Sequence, residues 1–399
     1  MGVDRDNIHL LCRTAGTPSL SFDEPVLRIA IAGVSVALGV SLIAVPLCRL
    51  LALKVGVVDR PGGRKTHEKV TPLLGGIGVV LGVMAGLFVV WSQSEAHLPG
   101  GLGFSNISFV IAGSLVIFLI GLMDDIFKDS MGFEPKLLGQ IVGVLVLMWP
   151  SLRDLVSNGG TADQWLYQLF FLGWYLTIVN SFNFSDNMNG LMSGLSVISF
   201  AAAIMYLSST DSYRSMTVAA VLMAAVLGFM PYNFPRSRVF LGDTGSMFIG
   251  FWMAWVQFDL AKGFMDVGNH DFGASHLIPA VLIMGVPLFD AAYVVFMRIN
   301  DRRPVYLGDC FHLSHRLVRS GFSSSEAVVI LWGLALILAW LGILASSTED
   351  VYRYIILAAS FVFMVVVARK IMSMERFAAL SNPSSGSSDS DSSGDGRTP

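Results

Sequence analysis

The chain has 399 residues, 54% of them hydrophobic and only 14% charged, with a formal net charge of −3 at pH 7. Soluble domains carry about 25% charged residues, so this composition excludes a soluble globule and points to an integral membrane protein. The near-zero charge selects no partner class, and no nucleic-acid partner is expected. Cys12, Cys48 and Cys310 lie far apart without metal-ligand spacing and read as free thiols.

One membrane crossing needs about 20 apolar residues. Such runs fall at about 26–53, 73–92, 105–123, 135–150, 165–183, 190–208, 214–232, 244–261, 276–297, 325–346 and 352–372. They predict an all-α, polytopic membrane helical bundle of about eleven transmembrane helices. The first run is too long for a signal peptide and has no small-residue cleavage site after it. The fourth, bounded by Pro135 and Pro150, is the shortest. Residues 1–25 read as a polar N-terminal segment and 26–372 as the transmembrane domain. Residues 373–399, rich in Ser, Gly and Asp, read as a disordered tail.

Orientation follows from the basic residues in the loops. Alternate loops hold Lys54, Arg60, Arg64, Lys65, Lys69, Lys128, Lys136, Arg236, Arg238, Arg298, Arg302, Arg303, Arg316 and Arg319, whereas the opposite loops hold Arg153, Arg214, Lys262 and Arg353. This predicts an external N-terminus and a cytoplasmic C-terminus. Five polar motifs then share the cytoplasmic face, because even numbers of spans separate them.

In chain order, the first motif is Lys65-Thr66-His67, in a basic loop that enters the glycine-rich start Gly75-Gly76. It serves topology, and Lys65 and His67 could also reach a phosphate. The second is Asp124-Asp125 at a helix C-terminus, where the helix dipole and mutual repulsion both disfavour two carboxylates. A solvated boundary is one reading. A bound cation such as Mg²⁺, which prefers oxygen ligands shared with substrate phosphates, is the other.

The third motif runs from Asn183 to Asn189. Some of its amides and acids suit turn capping, while Asn183 and Asp186 share a helical face and could orient a nucleotide or a metal-bound water. The fourth is Gly242-Asp243-Thr244-Gly245-Ser246, which reads as an N-cap or, with its flanking glycines, as an anion-binding helix start. It is not the soluble phosphate loop, since the Lys is missing and the spacing differs. The fifth is His312-Leu313-Ser314-His315-Arg316. His312, His315, Arg316 and Arg319 would share one helical face, either resting on anionic lipid or clamping a diphosphate. Zinc is disfavoured, with no Cys or third His nearby. Asp290, inside the 276–297 run, should cost a few kcal/mol unless it has a partner.

Together, Lys65-Thr66-His67 with Pro72 and Gly75-Gly76, Gly121 to Asp125, Asn183-x-x-Asp186, Phe240 to Ser246 and His312 to Leu317 resemble the polyprenyl-phosphate N-acetylhexosamine-1-phosphate transferases, over about residues 30–370. The resemblance implies an enzyme of the bacterial inner membrane with its active site on the cytoplasmic face. It would take a UDP-amino sugar and undecaprenyl phosphate, depend on Mg²⁺ or Mn²⁺, and release UMP. The implied catalytic set is Asp124, Asp125, Asp243 and His315. The three aspartates are the candidate metal ligands, and Lys65, His67, Asn183, Asp186, Asn189, His312 and Arg316 the candidate substrate-binding groups. The His-Leu-Ser-His-Arg-Leu form is similar to the GlcNAc-1-phosphate branch. The phospho-MurNAc-pentapeptide branch, a non-catalytic scaffold and a transporter are the alternatives, and a homodimer is open.

One departure stands out. The family commonly reads Asp-Gly-x-Asp-Gly-Leu, whereas this chain reads Asp186-Asn187-Met188-Asn189-Gly190-Leu191. In the family the second acid lies near the nucleotide base. Asn189 keeps an acceptor oxygen there and loses the charge.

Overall fold

The computed structural model describes residues 24–60, 70–97, 107–127, 131–208, 212–260, 274–306 and 311–381. The helices are α1 (Glu24–Val55), α2 (Gly75–His97), α3 (Ile107–Ile126), α4 (Phe133–Asn158), α5 (Ala162–Ser185), α6 (Leu191–Leu207), α7 (Tyr213–Asn233), α8 (Gly242–Leu260), α9 (Ile278–Ile283), α10 (Gly285–Asn300), α11 (Leu313–Arg319), α12 (Ser324–Ser346) and α13 (Asp350–Ser381). Among the described residues the only sheet is a short antiparallel pair, β1 (Val58–Asp59) with β2 (Thr71–Pro72), in the register Val58↔Pro72 and Asp59↔Thr71.

All the expected apolar runs fall on helices. Among the described residues seven are able, by length and composition, to cross a membrane, namely α1, α2, α3, α4, α7, α12 and α13, and the bent α9–α10 pair makes an eighth if it is one span. The chain is thus an all-α polytopic membrane protein. Cys48 is a buried free thiol; Cys12 and Cys310 lie outside the described residues.

Three boundaries differ from expectation. The 276–297 run is broken, with the segments on either side of Met284 bent by 91°. Pro287 has no N–H to give the Ile283 carbonyl, and Ser199 Oγ donates to that carbonyl instead, at 3.1 Å. α4 continues past Pro150 to Asn158 and ends at Gly159, whose left-handed φ of 69° and N–H bond to the Leu155 carbonyl form its C-cap. α13 extends to Ser381, through residues expected to begin the tail.

α8 is the axis of the bundle. Its Met247, Phe248, Ile249, Phe251, Trp252, Met253 and Ala254 are wholly buried, and they join the residues of α7 in one core cluster. The outer helices keep large apolar side chains exposed, among them Ile43 and Leu47 on α1 and Phe361 and Val362 on α13. That exposure suits lipid contact. Gly78, Gly82 and Gly86 form a stripe on α2 that lets its backbone meet α1; added Cβ atoms would lie 2.8 Å from Val45 Cα, the Ala37 carbonyl and the Gly33 carbonyl.

Candidate active site

The end of the bundle that carries the motifs is built by backbone pairing first. Phe240 N–H donates to the Pro72 carbonyl (2.8 Å), Gly75 N–H to the Phe240 carbonyl (3.0 Å), and Gly76 N–H to the Leu241 carbonyl (2.9 Å). The β1–β2 ribbon and the start of α2 are therefore tied to the turn that opens α8. Lys65 and His67 lie outside the described residues.

The Asp124-Asp125 pair is divided between two tasks. Asp125, 5% exposed, turns to the N-terminus of α8. Its Oδ1 accepts from Asp243 N–H (2.9 Å), and its Oδ2 from Thr244 N–H (3.0 Å) and Thr244 Oγ1 (2.5 Å). A carboxylate is favoured at a helix start. Gly242 permits the contact in two ways: its φ is +73°, and a Cβ there would collide with the Asp125 carboxylate. α3 also approaches at Gly121, where a Cβ would lie 2.5 Å from the Asp243 carbonyl oxygen. Asp125, expected among the metal ligands, is thus a cap that fixes α8.

Asp124 turns the other way. Its Oδ2 lies 3.3 Å from Lys136 Nζ, and the same ammonium pairs with Asp243 Oδ2. Asn183 Nδ2 donates to Asp243 Oδ1 and to Ser246 Oγ, both at 2.9 Å. Four elements thus meet at one cation: the end of α3, the first turn of α4, the last turn of α5 and the first turn of α8. The side chains of Lys136 and Asp124 are each 18% exposed and that of Asp243 is 24%, so the cluster is sheltered yet reachable. One turn deeper, Asn180 Nδ2 donates to Gln140 Oε1 (2.8 Å) and Gln140 Nε2 to Asn180 Oδ1 (3.4 Å). This part-buried amide pair fixes α4 against α5 and so sets the Lys136–Asn183 layer.

Lys136 was legible as more than a topology marker. A lysine in the first turn of a helix opposes the helix dipole, which asks for a compensating acid nearby.

The His motif forms a second cluster. Asp290, 7% exposed, takes His312 Nδ1 at 2.7 Å and Leu313 N–H at 2.8 Å, so the partner this intramembrane acid requires is the start of α11. The end of α5 bridges the two clusters. Phe184 meets His312 edge-on at 6.3 Å, Arg298 lies over the Phe184 ring at 5.4 Å, and Asn187 Oδ1 accepts from Ser314 Oγ at 2.7 Å. His315 is half-buried, its ring 6.2 Å from that of His312.

The expected common face of four basic groups does not form. Arg316 Nη1 pairs with Glu375 Oε2 of α13 (2.8 Å) and Arg319 Nε with Glu375 Oε1 (2.6 Å). Arg316 also donates from Nε to the Phe311 carbonyl (3.1 Å) and packs over the Tyr293 and Phe311 rings at 5.5 and 5.7 Å. A buried guanidinium needs a carboxylate, and the acid that reaches it is Glu375 on α13. This corrects its placement in a diphosphate clamp with His312 and His315. Asp186 is the half-buried C-cap of α5. Asn189 is half-buried in the turn before α6, beside Gly190, whose φ is +81° and whose N–H donates to Asn233 Oδ1 at 2.6 Å.

Among the described residues no three His, Cys, Asp or Glu side chains gather as a metal site. The acids that do converge are Asp124 and Asp243. They already share one cationic group, and their hard oxygen donors fit Mg²⁺ completed by water and phosphate oxygens.

Fold and site define a polytopic membrane protein with a sheltered acidic and basic cluster at one end of its bundle. The model of Glycosyl transferase family 4 matches residues 107–261, the stretch that carries Asp124, Asp125, Lys136, Asn183, Asp186, Asn189 and Asp243. The chain is 31% identical over 343 residues to the decaprenyl-phosphate N-acetylglucosaminephosphotransferase of Mycobacterium tuberculosis (strain ATCC 25618 / H37Rv), covering 80% of this chain and 82% of that one. It is 30% identical over 320 residues to the undecaprenyl-phosphate alpha-N-acetylglucosaminyl 1-phosphate transferase of Escherichia coli (strain K12), with 77% and 82% covered. To the probable undecaprenyl-phosphate N-acetylglucosaminyl 1-phosphate transferase of Bacillus subtilis (strain 168) it is 28% identical over 351 residues, with 87% and 93% covered. The chain belongs to glycosyl transferase family 4.

Proposed function

We propose that this protein transfers GlcNAc-1-phosphate from UDP-GlcNAc to undecaprenyl phosphate, releasing UMP and forming the lipid-diphosphate-sugar that initiates a cell-envelope polysaccharide. The observation that carries this reading is the convergence of Asp124, Asp243, Lys136 and Asn183 from four helices on one sheltered point. Relatives along most of the chain are named for this transfer. The bundle would hold about eleven spans in the inner membrane, with the N-terminus outside and the active site cytoplasmic, as the loop charges require.

A lipid phosphate oxygen attacks the β-phosphorus of the UDP-sugar. One P–O bond forms, the bond to the UMP oxygen breaks, and UMP leaves with the electron pair. Both reactants are anions, so charge neutralisation is the chief demand. A phosphomonoester has a second pKa near 6 and is mostly dianionic at neutral pH, so the attack needs no strong base. Mg²⁺, held by Asp243 and Asp124, would neutralise the diphosphate when bound. Lys136 adds a fixed positive charge beside both carboxylates. Asn183 fixes the rotamer of Asp243, and Asp125 fixes the helix start on which Asp243 stands. Asp290 holds His312 with Nδ1 toward the carboxylate, leaving Nε2 for substrate; His315, with Lys65 and His67, would add phosphate contacts. Asp186 and Asn189 are assigned to the uridine side.

A transporter would need carboxylates near the bilayer midplane at broken helices. The break at Met284 does place Asp290 beside a bend, but Asp290 is committed to capping α11.

The reading is tested with purified protein in detergent, undecaprenyl phosphate, Mg²⁺ and radiolabelled UDP-GlcNAc. Label should enter the lipid phase and stop doing so with EDTA. Transfer from UDP-MurNAc-pentapeptide but not from UDP-GlcNAc would assign the peptidoglycan branch instead. Lys136→Met should lower kcat/KM about 100-fold, the usual effect of removing one preorganised electrostatic group, with the melting temperature retained. Unchanged kcat/KM would remove Lys136 from the site.

A further inference from the structure

α11 has seven residues and carries His315. So short a helix has little stability of its own, and its orientation comes from what holds it. Three tethers do so. Asp290 caps its start, Asn187 accepts from Ser314, and Glu375 of α13 grips its last turn.

The third tether is more than a surface ion pair. Both Glu375 oxygens are engaged, one by each arginine, and the Arg316 side chain is 9% exposed. Partly buried networks of several charges are the ion pairs that hold geometry, unlike single exposed ones. Neighbouring contacts seat the same joint. Ser320 Oγ donates to the Ile371 carbonyl (3.3 Å), and Tyr293 Oη contacts Met372 Sδ (3.1 Å). Glu375 lies in the part of α13 that runs past the expected end of the last span. It is an acid among Arg369, Lys370 and Arg376, against the basic trend of its segment.

We propose that Glu375 is a positioning residue for the transfer. Through Arg316 and Arg319 it sets the angle of α11, and hence the approach of His315 to the diphosphate of the sugar nucleotide. This rests on the function proposed above.

The test compares Glu375→Ala, Glu375→Asp and the swap Arg319→Glu/Glu375→Arg with wild type, measuring kcat, KM for UDP-GlcNAc and melting temperature in one detergent. Glu375→Ala should lower kcat/KM about tenfold or more, chiefly through KM, as small misplacements of binding groups do. Its melting temperature should stay near that of wild type. Glu375→Asp should recover most of the loss, and the swap should outperform Glu375→Arg alone, in which three arginines face one another. Wild-type kinetics in Glu375→Ala would overturn the proposal. So would a loss that merely follows unfolding and that neither Asp nor the swap repairs. Amide exchange across 311–321 should rise in Glu375→Ala whether or not wild type transfers sugar phosphate, and unchanged exchange would overturn the tether itself. Absence of transfer in wild type, with exchange raised in the variant, would instead count against the proposed function.

Discussion

Asp243→Asn is expected to abolish transfer while leaving the fold intact. The substitution is nearly isosteric. Asn at 243 can still accept from Asn183 Nδ2 at Oδ1, and the backbone N–H of residue 243 still meets Asp125. What disappears is one negative charge facing Lys136 and the cation that the diphosphate requires. Removing a single group aimed at developing charge costs about 100- to 1,000-fold in kcat, and loss of a metal ligand falls at or beyond the upper end. Partition of radiolabel into lipid, read beside the melting temperature in the same detergent, checks both halves. Near-normal turnover would take Asp243 out of the chemistry; a melted variant would make it structural.

Asp125→Ala should do the opposite and act first on stability. Its carboxylate satisfies two backbone N–H groups and one hydroxyl at the start of α8, all in a buried setting. Each buried donor left without a partner costs about 1–3 kcal/mol, so the variant should lose several kcal/mol, a large part of the net stability of an ordinary domain. Thermal melting in detergent should show a drop of many degrees, with transfer falling alongside. Asp124→Asn, one residue away, should lose transfer with its melting temperature nearly unchanged, because among the described residues that side chain pairs with the Lys136 ammonium and not with a helix start. Similar stability losses in both variants would refute the division of labour between the two aspartates.

That division was not legible in the sequence, although the pair itself was. Two adjacent acids at a helix C-terminus announce that something must relieve them, and a bound cation is the simplest solution. The structure relieves one with the N-terminus of α8 and the other with Lys136. Lys136 stands 12 residues on in the next helix and the start of α8 118 residues on, and the packing of α3 against α4 and α8 brings them together. The helix plan was readable because lipid-facing helices carry long apolar runs. It failed where a single residue decides the outcome, as at Pro287, whose missing N–H breaks the 276–297 run. The requirement for a partner at Asp290 was also readable, since an intramembrane acid cannot stay alone. The identity of that partner, the start of α11, was hidden in a 22-residue separation. Arg316 shows the converse. Its type suits a diphosphate, but a distant glutamate on α13 claims it, and periodicity within its own segment carries no trace of that.

The central claim is that the β-phosphate moves with the sugar. It is tested most directly with UDP-GlcNAc labelled at the β-phosphorus with ³²P, incubated with wild-type protein, undecaprenyl phosphate and Mg²⁺. The account predicts that the ³²P enters the organic phase together with GlcNAc, and that unlabelled UMP appears in equal amount. Recovery of the ³²P in UDP, or its absence from the lipid while GlcNAc is transferred, would contradict it.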